Sequence, residues 1–342
     1  MKIIYLLFAL VFSLLSVLGF ISGYVHPSHC EWLGFFGLIL LPVLGINLLL
    51  IIIGSFLKNK WGWLLLGSLL LNIGYVSAMF QTTITRKVQE GQKTIKVVSY
   101  NVNNFYTNQV HTLSSIASYM QGIDADIICL QEVAKEDSIM RNFSFLPYAY
   151  LSESSPNYLK QALFSRYPLM NCRTILFPGS TNMAIRADIV IEGKTVRIFS
   201  NHLQTTSVNN YKTKVKEDIQ DGDVFSQAAF SLSWQMIDNF LLRANQADVI
   251  RQQIDESPYP VIVCGDFNDT PASYAYHRIK GKLTDGFTDC GHGYGYTFRE
   301  LRKLFRIDYI FYSPNLKGIC YESPDLGWSD HKAIVWEGKM FF

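Results

Sequence analysis

Three apolar stretches that are almost free of charge occupy the first 80 residues and constrain the fold more than any other feature. They run from Ile3 to Tyr24, from Trp32 to Leu57 and from Trp61 to Phe80. Each is close to or above the roughly 20 residues that a helix needs to cross the hydrocarbon core of a bilayer. The sequence therefore predicts a three-span transmembrane anchor over residues 1–82 and a multi-pass protein of the cell (inner) membrane.

A cleaved signal peptide is the alternative for the first stretch, because Lys2 precedes an apolar run. Two further apolar stretches follow it, and no clear small-residue cleavage site separates them, so an anchor in the lipid bilayer is favoured. Two amides, Asn47 and Asn72, lie inside the predicted spans. Hydrogen bonding between helices is their expected role.

The charges that flank the apolar stretches predict an orientation. The first loop, Val25 to Glu31, has no Lys or Arg. Lysines occur instead at the N-terminus and in the second loop, as Lys2, Lys58 and Lys60. The positive-inside rule places these two parts in the cytoplasm. After three crossings the C-terminal part is then expected to be extracytoplasmic, although Arg86 and Lys87 argue for the opposite side.

The rest of the chain has a different composition. Residues 83–92 are polar and predict a linker, and residues 93–342 are enough for one catalytic domain. Residues 1–92 hold 5 of the 30 Lys and Arg and 2 of the 28 Asp and Glu, which leaves the remainder with 25 and 26 and a net charge of −1. Such a balance is unlike that of a tight, non-specific nucleic-acid binder.

Strands alternate with a few helices in residues 93–342. Short apolar runs rich in β-branched residues predict the strands, and helical spacing appears from Leu113 to Met120 and from Ile237 to Ile254. This mixture indicates a layered α/β or α+β domain.

Acidic, amide and imidazole residues follow the predicted strands, where a rigid sheet displays reactive groups together. They are Asn101, Glu132, His202, Asp266, Asn268, Asp308, Asp330 and His331. Asp266 and Asn268 are two residues apart, so in extended chain they point to the same side. Asp308 lies in an otherwise apolar strand and needs a partner, because burying an unpaired charge is costly.

The order of these segments resembles the endonuclease/exonuclease/phosphatase superfamily, which includes pancreatic deoxyribonuclease, abasic-site endonucleases, neutral sphingomyelinases and inositol-phosphate phosphatases. The segments that carry the resemblance are Leu130-Gln131-Glu132, Asn201-His202-Leu203, Gly265-Asp266-Phe267-Asn268, Ile307-Asp308-Tyr309 and Ser329-Asp330-His331. It covers about Lys93 to Glu337, and Lys332-Ala333 departs from the pair found in many relatives. The resemblance implies an α+β fold: a four-layered sandwich of two sheets flanked by helices.

By this resemblance, the cofactor is Mg²⁺ or Mn²⁺. Glu132 is the implied principal ligand, with Asn101 beside it and Asp330 and Asp308 nearby. Carboxylate and amide oxygens suit a hard cation of this kind.

The resemblance also implies the catalytic residues. Asp266 orients or deprotonates the attacking water, and Asn268 holds that water or a phosphate oxygen. His331 contacts the phosphate with its orientation fixed by Asp308, because an imidazole needs a partner on its second nitrogen. His202 binds the opposite phosphate oxygen or assists the leaving group.

Two further residues are candidate substrate contacts. Arg166 belongs to the turn Ser165-Arg166-Tyr167-Pro168, for which an architectural role is the alternative. Tyr296 belongs to a Gly-aromatic loop, residues 291–298, for which a flexible turn is the alternative.

These observations favour a membrane-anchored, metal-dependent phosphoesterase that hydrolyses phosphodiesters or phosphomonoesters. Near-neutral charge and membrane attachment favour a lipid-linked or small phosphoester as the substrate. An endonuclease or exonuclease acting on DNA or RNA is the first alternative, so nucleic acid stays a candidate partner. An inactive membrane receptor or scaffold is the second, but it would require the loss of a motif residue, and none is lost. No obligate protein partner is inferred.

Overall fold

The structure is a computed structural model that describes residues 2–83, 93–107, 110–134, 138–153, 159–206 and 225–340. The predicted linker, residues 83–92, therefore lies almost wholly outside the described residues. The chain divides into two compact units. The helical unit comprises Met1–Gly74, Gln204–Val249 and Ala272–Ile279, and the sandwich unit comprises Tyr75–Leu203, Ile250–Pro271 and Lys280–Phe342.

Apolar sequence forms the helices of the N-terminal region. They are α1 (Lys2–Ser22), α2 (Leu33–Leu38), α3 (Leu40–Phe56), α4 (Gly62–Leu71) and α5 (Ile73–Met79). Within the described residues, α1 is the one continuous helix long and apolar enough to cross a membrane. Helices α4 and α5 reach that length only as a pair bent by 60°, and α3 has 17 residues.

Three transmembrane helices and a multi-pass location are thus not supported, because the second and third stretches are broken. The break at Ile39 precedes Pro42 by three residues. The proline ring lacks an N–H and clashes with the carbonyl four residues earlier, which interrupts a helix there. At the other break, the Asn72 amide donates to the carbonyl oxygens of Ser68 at 2.9 Å and of Ser16 in α1 at 3.2 Å.

The helical unit buries several polar side chains and exposes many large apolar ones. The Asn47 amide, fully buried, donates to the hydroxyls of Ser16 at 2.6 Å and Ser68 at 3.2 Å, which lie on other helices. The predicted interhelical hydrogen bonds of Asn47 and Asn72 are confirmed. Large apolar side chains, by contrast, face outward, with Phe56 85% and Trp63 74% exposed.

The sandwich unit consists mainly of strands. They are β1 (Phe80–Thr82), β2 (Ile95–Asn101), β3 (Tyr106–Thr107), β4 (Val110–His111), β5 (Ile127–Val133), β6 (Tyr148–Leu151), β7 (Lys160–Ser165), β8 (Leu169–Leu176), β9 (Met183–Ile191), β10 (Lys194–His202), β11 (Val261–Asp266), β12 (Thr284–Asp285), β13 (His292–Tyr294), β14 (Asp308–Tyr312), β15 (Leu316–Glu322) and β16 (Ile334–Met340). Its helices are α6 (Leu113–Gly122), α7 (Ile139–Asn142) and α10 (Gly286–Cys290), whereas α8 (Phe225–Asp255) and α9 (Tyr274–Lys280) belong mostly to the helical unit.

Two six-stranded sheets form the body of this unit. Their strand orders are β12-β14-β11-β10-β9-β8 and β15-β16-β2-β5-β7-β6. Apolar side chains from both sheets, such as Ile127, Ile262 and Trp336, form one core. A second core lies on the other face of the second sheet, where Ile116 and Phe143 belong to α6 and the end of α7. The predicted two-sheet α+β sandwich is confirmed.

Each sheet contains one parallel pair of neighbouring strands, and these pairs position the candidate site. β10 and β11 are parallel in the first sheet, and β2 and β5 are parallel in the second. Parallel neighbours end at the same edge of a sheet. The polar residues that follow these four strands are thereby gathered at strand ends.

The chain joins the sandwich unit before the predicted domain begins. β1 pairs antiparallel with β13, the Phe80 and Tyr294 rings stack at 4.8 Å, and the Gly295 N–H donates to the Met79 carbonyl at 2.9 Å. Residues 80–82, which the sequence analysis assigned to the anchor, are part of the sandwich unit. The boundary predicted at residue 93 stays a prediction.

Candidate active site

Three neighbouring strands of the first sheet place His202, Asp266 and Asp308 side by side. His202 of β10 pairs with Asp266 of β11, and Asp266 pairs with Asp308 of β14. Gly265 permits this register: its φ is +130°, and a Cβ there would lie 1.9 Å from the Asn201 carbonyl oxygen. Only a residue without a side chain allows so close an approach.

The second sheet contributes Asn101 and Glu132. Glu132 has φ 54°, in the left-handed region, where the pairing of β5 with β7 is irregular. Such a bulge redirects a side chain at the end of a strand. The Asn101 amide donates to Glu132 Oε1 at 2.9 Å and to Asp266 Oδ2 at 3.0 Å. This amide therefore bridges the carboxylates of the two sheets.

The segment from Ser329 to His331 completes the cluster. His331 Nδ1 lies 3.0 Å from Asp308 Oδ2, and its Nε2 lies 3.7 Å from Asp266 Oδ2. The Ser329 hydroxyl donates to the Asn101 carbonyl at 2.7 Å and accepts from the His331 N–H at 3.2 Å. The contact between His331 and Asp308 that the sequence analysis predicted is present.

His202 and Asn268 lie on the other side of Asp266. His202 Nε2 is 3.4 Å from Glu132 Oε1 and 3.9 Å from Asp266 Oδ2. Asn268, with φ 53°, donates its backbone N–H to Asp266 Oδ1 at 2.8 Å and its amide to the Leu203 carbonyl at 3.0 Å. The structure thus gathers seven of the eight motif residues through direct contacts with one another.

A family match agrees with this geometry. Residues 98–331, more than half of the chain, match the Endonuclease/Exonuclease/phosphatase family. The chain belongs to this family. Residues 1–79 match a domain of unknown function, DUF8431. No curated protein sequence matches the chain.

Solved structures of the Endonuclease/Exonuclease/phosphatase family and of TDP2 share the fold. Humanized D. rerio TDP2 is 17% identical, with a TM-score of 0.54 over 72% of this chain and 99% of that one. Truncated Caenorhabditis elegans TDP2 is 19% identical, with a TM-score of 0.53 over 72% and 97%. An endonuclease/exonuclease/phosphatase family protein from Bacteroides thetaiotaomicron is 16% identical, with a TM-score of 0.54 over 73% and 98%.

Burial and mutual contact change the acid–base properties of the cluster. Burial, together with the charge of Asp308, raises the pKa of Asp266 to about 6. Burial opposes the charged form of His331, but the charges of Asp308 and Asp266 outweigh it and raise the pKa of His331 well above its ordinary value. A base that titrates near neutrality and a cationic imidazole therefore lie side by side.

Glu132 is the most acidic member of the cluster. Burial opposes its charge, but contact with His202 and the hydrogen bond from Asn101 lower the pKa of Glu132 to about 2. Burial and the charge of Glu132 raise the pKa of Asp330. The second shift indicates that the Asp330 and Glu132 carboxylates are close enough to repel each other.

The donor set fits a divalent cation of the kind that this family typically uses. Ligand atoms of Glu132, His202 and Asp266 lie within 4.8 Å of one another, as do those of Asp266, Asp308 and His331. Asp308 Oδ1 is buried and has no hydrogen-bond partner among the described residues. Buried polar atoms normally have one, so a cation or water beside Asp308 would satisfy it. The predicted ligand Asn101 turns its amide N–H groups, rather than its oxygen, toward Glu132.

Arg166 lies away from the cluster, and its prediction as a substrate contact is corrected. β7 is antiparallel to β5, so Ser165 pairs with Ile127, at the opposite end of β5 from Glu132. There the Arg166 guanidinium forms ion pairs with Asp124 and Asp126. The strand direction removes this side chain from the candidate site.

Several residues that sequence reasoning did not single out support the cluster. The Thr297 hydroxyl accepts the N–H groups of Ile307 at 2.9 Å and Asp308 at 3.1 Å. Arg306 is fully buried and donates to Asp285 through both terminal nitrogens. The sequence offered one signal for Arg306, which is its position directly before the apolar strand that contains Asp308.

Proposed function

We propose that the protein is a membrane-attached, divalent-metal-dependent hydrolase of phosphodiesters, with lipid-linked or small phosphoesters as the favoured substrates. The observation that carries this proposal is the contact set of Asp266. Its carboxylate lies within 3.0 Å of the Asn101 amide, 3.7 Å of His331 Nε2 and 3.9 Å of His202 Nε2. An amide and two imidazoles thus surround this carboxylate, which supports its role as the base.

The residues of this cluster have complementary roles in the proposed reaction. Asp266 accepts the proton of the attacking water, a role that suits a carboxylate with a pKa of about 6. His331, held by Asp308, donates to a phosphate oxygen and stabilises the charge that develops on it. His202 binds the oxygen on the opposite side or protonates the leaving group, and Asn268 orients the water or the phosphate.

Glu132, with Asp330 and Asn101 beside it, would hold Mg²⁺ or Mn²⁺ in this proposal. The bound cation would neutralise charge on the phosphate and on the departing oxygen. The low pKa of Glu132 keeps its carboxylate charged and able to bind a cation at all physiological pH values. The Asn101 amide keeps Glu132 and Asp266 at a fixed separation.

Membrane attachment is supported by the polarity of the helical unit. Exposed apolar patches of this kind mark contact with a membrane or a partner, and α1 carries several side chains that are more than half exposed. The Asn47 and Asn72 amides each donate a hydrogen bond to Ser16 of α1, as polar residues do between membrane helices. We infer that α1 lies in the bilayer.

Carbonate extraction of membranes tests this inference. It should leave the full chain in the pellet and release a variant that lacks residues 2–22.

The orientation follows from the number of crossings. Lys2, directly before α1, favours a cytoplasmic N-terminus. A single crossing by α1 would then place the sandwich unit outside the cytoplasm. We propose the extracytoplasmic side. A cysteine introduced at Lys282, an exposed position of this unit, should react with an impermeant maleimide on intact cells, and labelling only after lysis would contradict the orientation.

A substrate screen tests the chemistry. The full chain in detergent should hydrolyse bis(p-nitrophenyl) phosphate, lose activity in EDTA and recover it with Mg²⁺ or Mn²⁺ but not with Ca²⁺ alone. Sphingomyelin, phosphoinositides, nucleotides and DNA should be compared under the same conditions. A D. rerio TDP2 structure contains a single-strand DNA product, so preferential cleavage of DNA would replace the lipid or small-molecule proposal with the nuclease alternative. Inactivity on every substrate, with any metal, would favour a receptor or scaffold.

A further inference from the structure

Lys332 is a buried cation with a distinctive environment. It follows His331 directly and is only 7% exposed. Its ammonium donates to the Ser323 hydroxyl at 3.2 Å and lies 4.4 Å from the centre of the Tyr296 ring. Among the described residues, no carboxylate lies within ion-pair distance of it. Lysine is almost never buried to this extent without a partner.

Two more cations lie around the same tyrosine. The Lys303 ammonium is 5.4 Å from the centre of the Tyr296 ring and 3.6 Å from Asp325 Oδ2. Arg299 Nε is 2.8 Å from Asp325 Oδ1, and the Tyr296 hydroxyl donates to Asp325 Oδ2 at 3.1 Å. Arg299 and Lys303 thus share the Asp325 carboxylate, and Lys303 and Lys332 share the Tyr296 ring. We call Tyr296, Arg299, Lys303 and Lys332 the cationic rim.

The cationic rim is built into the backbone that holds the candidate active site. The Lys332 N–H donates to the Thr297 carbonyl at 2.7 Å, and the Arg299 N–H donates to the Asp330 carbonyl at 2.8 Å. Phe298 forms a backbone bridge with His331, and their rings lie 5.1 Å apart. The segment that carries the rim is therefore fixed directly beside the segment that carries His331.

A purely structural role explains the position of Lys332 poorly. A methionine or leucine would pack on the Tyr296 ring without removing a charge from water, a removal that costs free energy unless the charge is paired. The hydroxyl of Ser323 and the face of the ring compensate it only in part. An anionic ligand would supply the partner that the described residues lack.

We propose that the cationic rim is a subsite for a second phosphate group, so that the preferred substrate is a phosphodiester that carries a further phosphate. This inference rests on the proposed phosphodiesterase function and specifies its substrate. Tyr296, predicted as a substrate contact, takes part by holding Lys332 and Lys303 over its ring while its hydroxyl orients Asp325. A headgroup of a phospholipid and the end of a nucleic-acid strand both offer this chemistry.

Calorimetric titration of the full chain in detergent, with Mg²⁺ held constant, tests the subsite without relying on turnover. The ligands are butanediol monophosphate and butanediol bisphosphate, which differ only in the second phosphate. The unaltered protein should bind the bisphosphate roughly tenfold more tightly or better, as expected for a charge-assisted contact. Lys332→Met should bring the ratio of the two dissociation constants close to one, and Lys332→Arg should retain most of it.

Two further variants, at exposed positions, show whether a change in this ratio results from misfolding of the Lys332 variant. Lys303→Met alters an exposed side chain and should reduce the same ratio in part, whereas Lys282→Met, an exposed lysine of the same unit, should leave it unchanged. A ratio near one in the unaltered protein would overturn the subsite even if bis(p-nitrophenyl) phosphate is hydrolysed. So would a high ratio that both Lys332→Met and Lys303→Met leave intact. A Lys332-dependent ratio in a protein without hydrolytic activity would instead keep the subsite and overturn the proposed function.

The source of the second phosphate is resolved by a second pair of titrations. Glycerophosphoglycerol phosphate, a lipid headgroup, is compared with glycerophosphoglycerol, and dithymidine dinucleotide with a terminal phosphate is compared with the same dinucleotide without it. The larger Lys332-dependent gain identifies the source. No gain in either pair would overturn the proposal for a natural phosphodiester.

Discussion

The two units of this protein distribute polar residues in opposite ways. In the helical unit, buried amides and hydroxyls such as Asn47 and Ser16 bond to one another while large apolar side chains face outward. In the sandwich unit, apolar side chains fill two cores, and the buried ionisable residues of the motif gather at strand ends. The ionisable motif residues thus belong to the sandwich unit, and the exposed apolar surface belongs to the helical unit.

The largest expected effect is a loss of turnover in variants of the sandwich unit but not in variants of the helical unit. Asp266→Asn and His331→Ala should each lower turnover of bis(p-nitrophenyl) phosphate by roughly 10²-fold or more, because each removes a general base or a charge-stabilising group. Steady-state kinetics at saturating Mg²⁺ would measure it. Asp238→Asn and His29→Ala make the same replacements in the helical unit and should leave turnover near its original value.

Glu132→Gln tests metal binding separately from the catalytic step. It should raise the Mg²⁺ concentration required for half-maximal activity by roughly tenfold or more, since even a residue that only supports a metal ligand typically contributes that much. Near-normal turnover in the Asp266 and His331 variants, with all variants folded by circular dichroism, would show that the strand-end cluster is not the active site.

The junction between the units offers a sharper test of where the sandwich unit begins. A fragment starting at Lys93 is expected to be less stable than one starting at Tyr75. Without residues 75–82, β13 loses its partner strand and buried Arg306 loses its 2.8 Å bond to the Ala78 carbonyl. The difference should be about 1–3 kcal/mol, the cost of an unsatisfied buried group. Equal denaturant midpoints for the two purified fragments would contradict it.

Stability of the metal-free protein should depend on pH through the site. The pKa values of Asp266 and His331 are both raised in the folded state, so the folded state binds more protons and stability falls as pH rises. Asp266 loses its contribution as pH passes about 6, and His331 loses its own above the ordinary histidine value of about 6.5.

Thermal unfolding in EDTA between about pH 5 and pH 8 measures this slope, which should not exceed about 1.4 kcal/mol per pH unit for each proton. His331→Ala should flatten it, and His29→Ala should not. Added Mg²⁺ should also flatten it by compensating the carboxylates. A slope of the opposite sign would show that the charged forms are better stabilised than the cluster geometry implies.

The smallest effect belongs to the interior of the helical unit. Asn47→Leu removes the hydrogen bonds to Ser16 and Ser68, and should cost about 0.6 kcal/mol, the average for such bonds between membrane helices. Thermal unfolding of the full chain in detergent would detect it. Ser55→Ala, on an exposed helix face where the hydroxyl bonds only within its own helix, is the matched control. A larger loss for Ser55→Ala would contradict the inward polarity of the unit.

Sequence reasoning located Asn101, Glu132, His202 and Asp266 because each lies at the end of an apolar run, and it located Asp308 as a charge inside one. That local signal also indicates which edge of a sheet displays the side chain, as it did for His202 and Asp266. It could not place Arg166, since whether a strand runs toward or away from the site depends on pairing with β5. Nor could it find Lys332 as a neighbour of Tyr296, a contact between residues distant in the chain.

Helix continuity was a second limit. Hydrophobic length predicted unbroken spans, but the backbone is interrupted at Ile39 and Asn72. Hydropathy measures the polarity of a segment and carries no information on how Pro42 or a hydrogen-bonded amide alters its backbone. The interhelical bonds of Asn47 and Asn72 were predictable, because an amide in an apolar helix has few other partners.

The left-handed backbone of Glu132 places function and folding in conflict. A non-glycine residue in that conformation costs of order 1–3 kcal/mol, and glycine at the same position would relieve the strain while deleting the carboxylate. Selection for stability alone would thus favour glycine at Glu132 and at Asn268, which has the same conformation, and would remove their side chains from the site. Stabilised variants selected without an assay of activity should accumulate changes at these two positions, whereas lineages under selection for hydrolysis must keep both and tolerate a less stable fold.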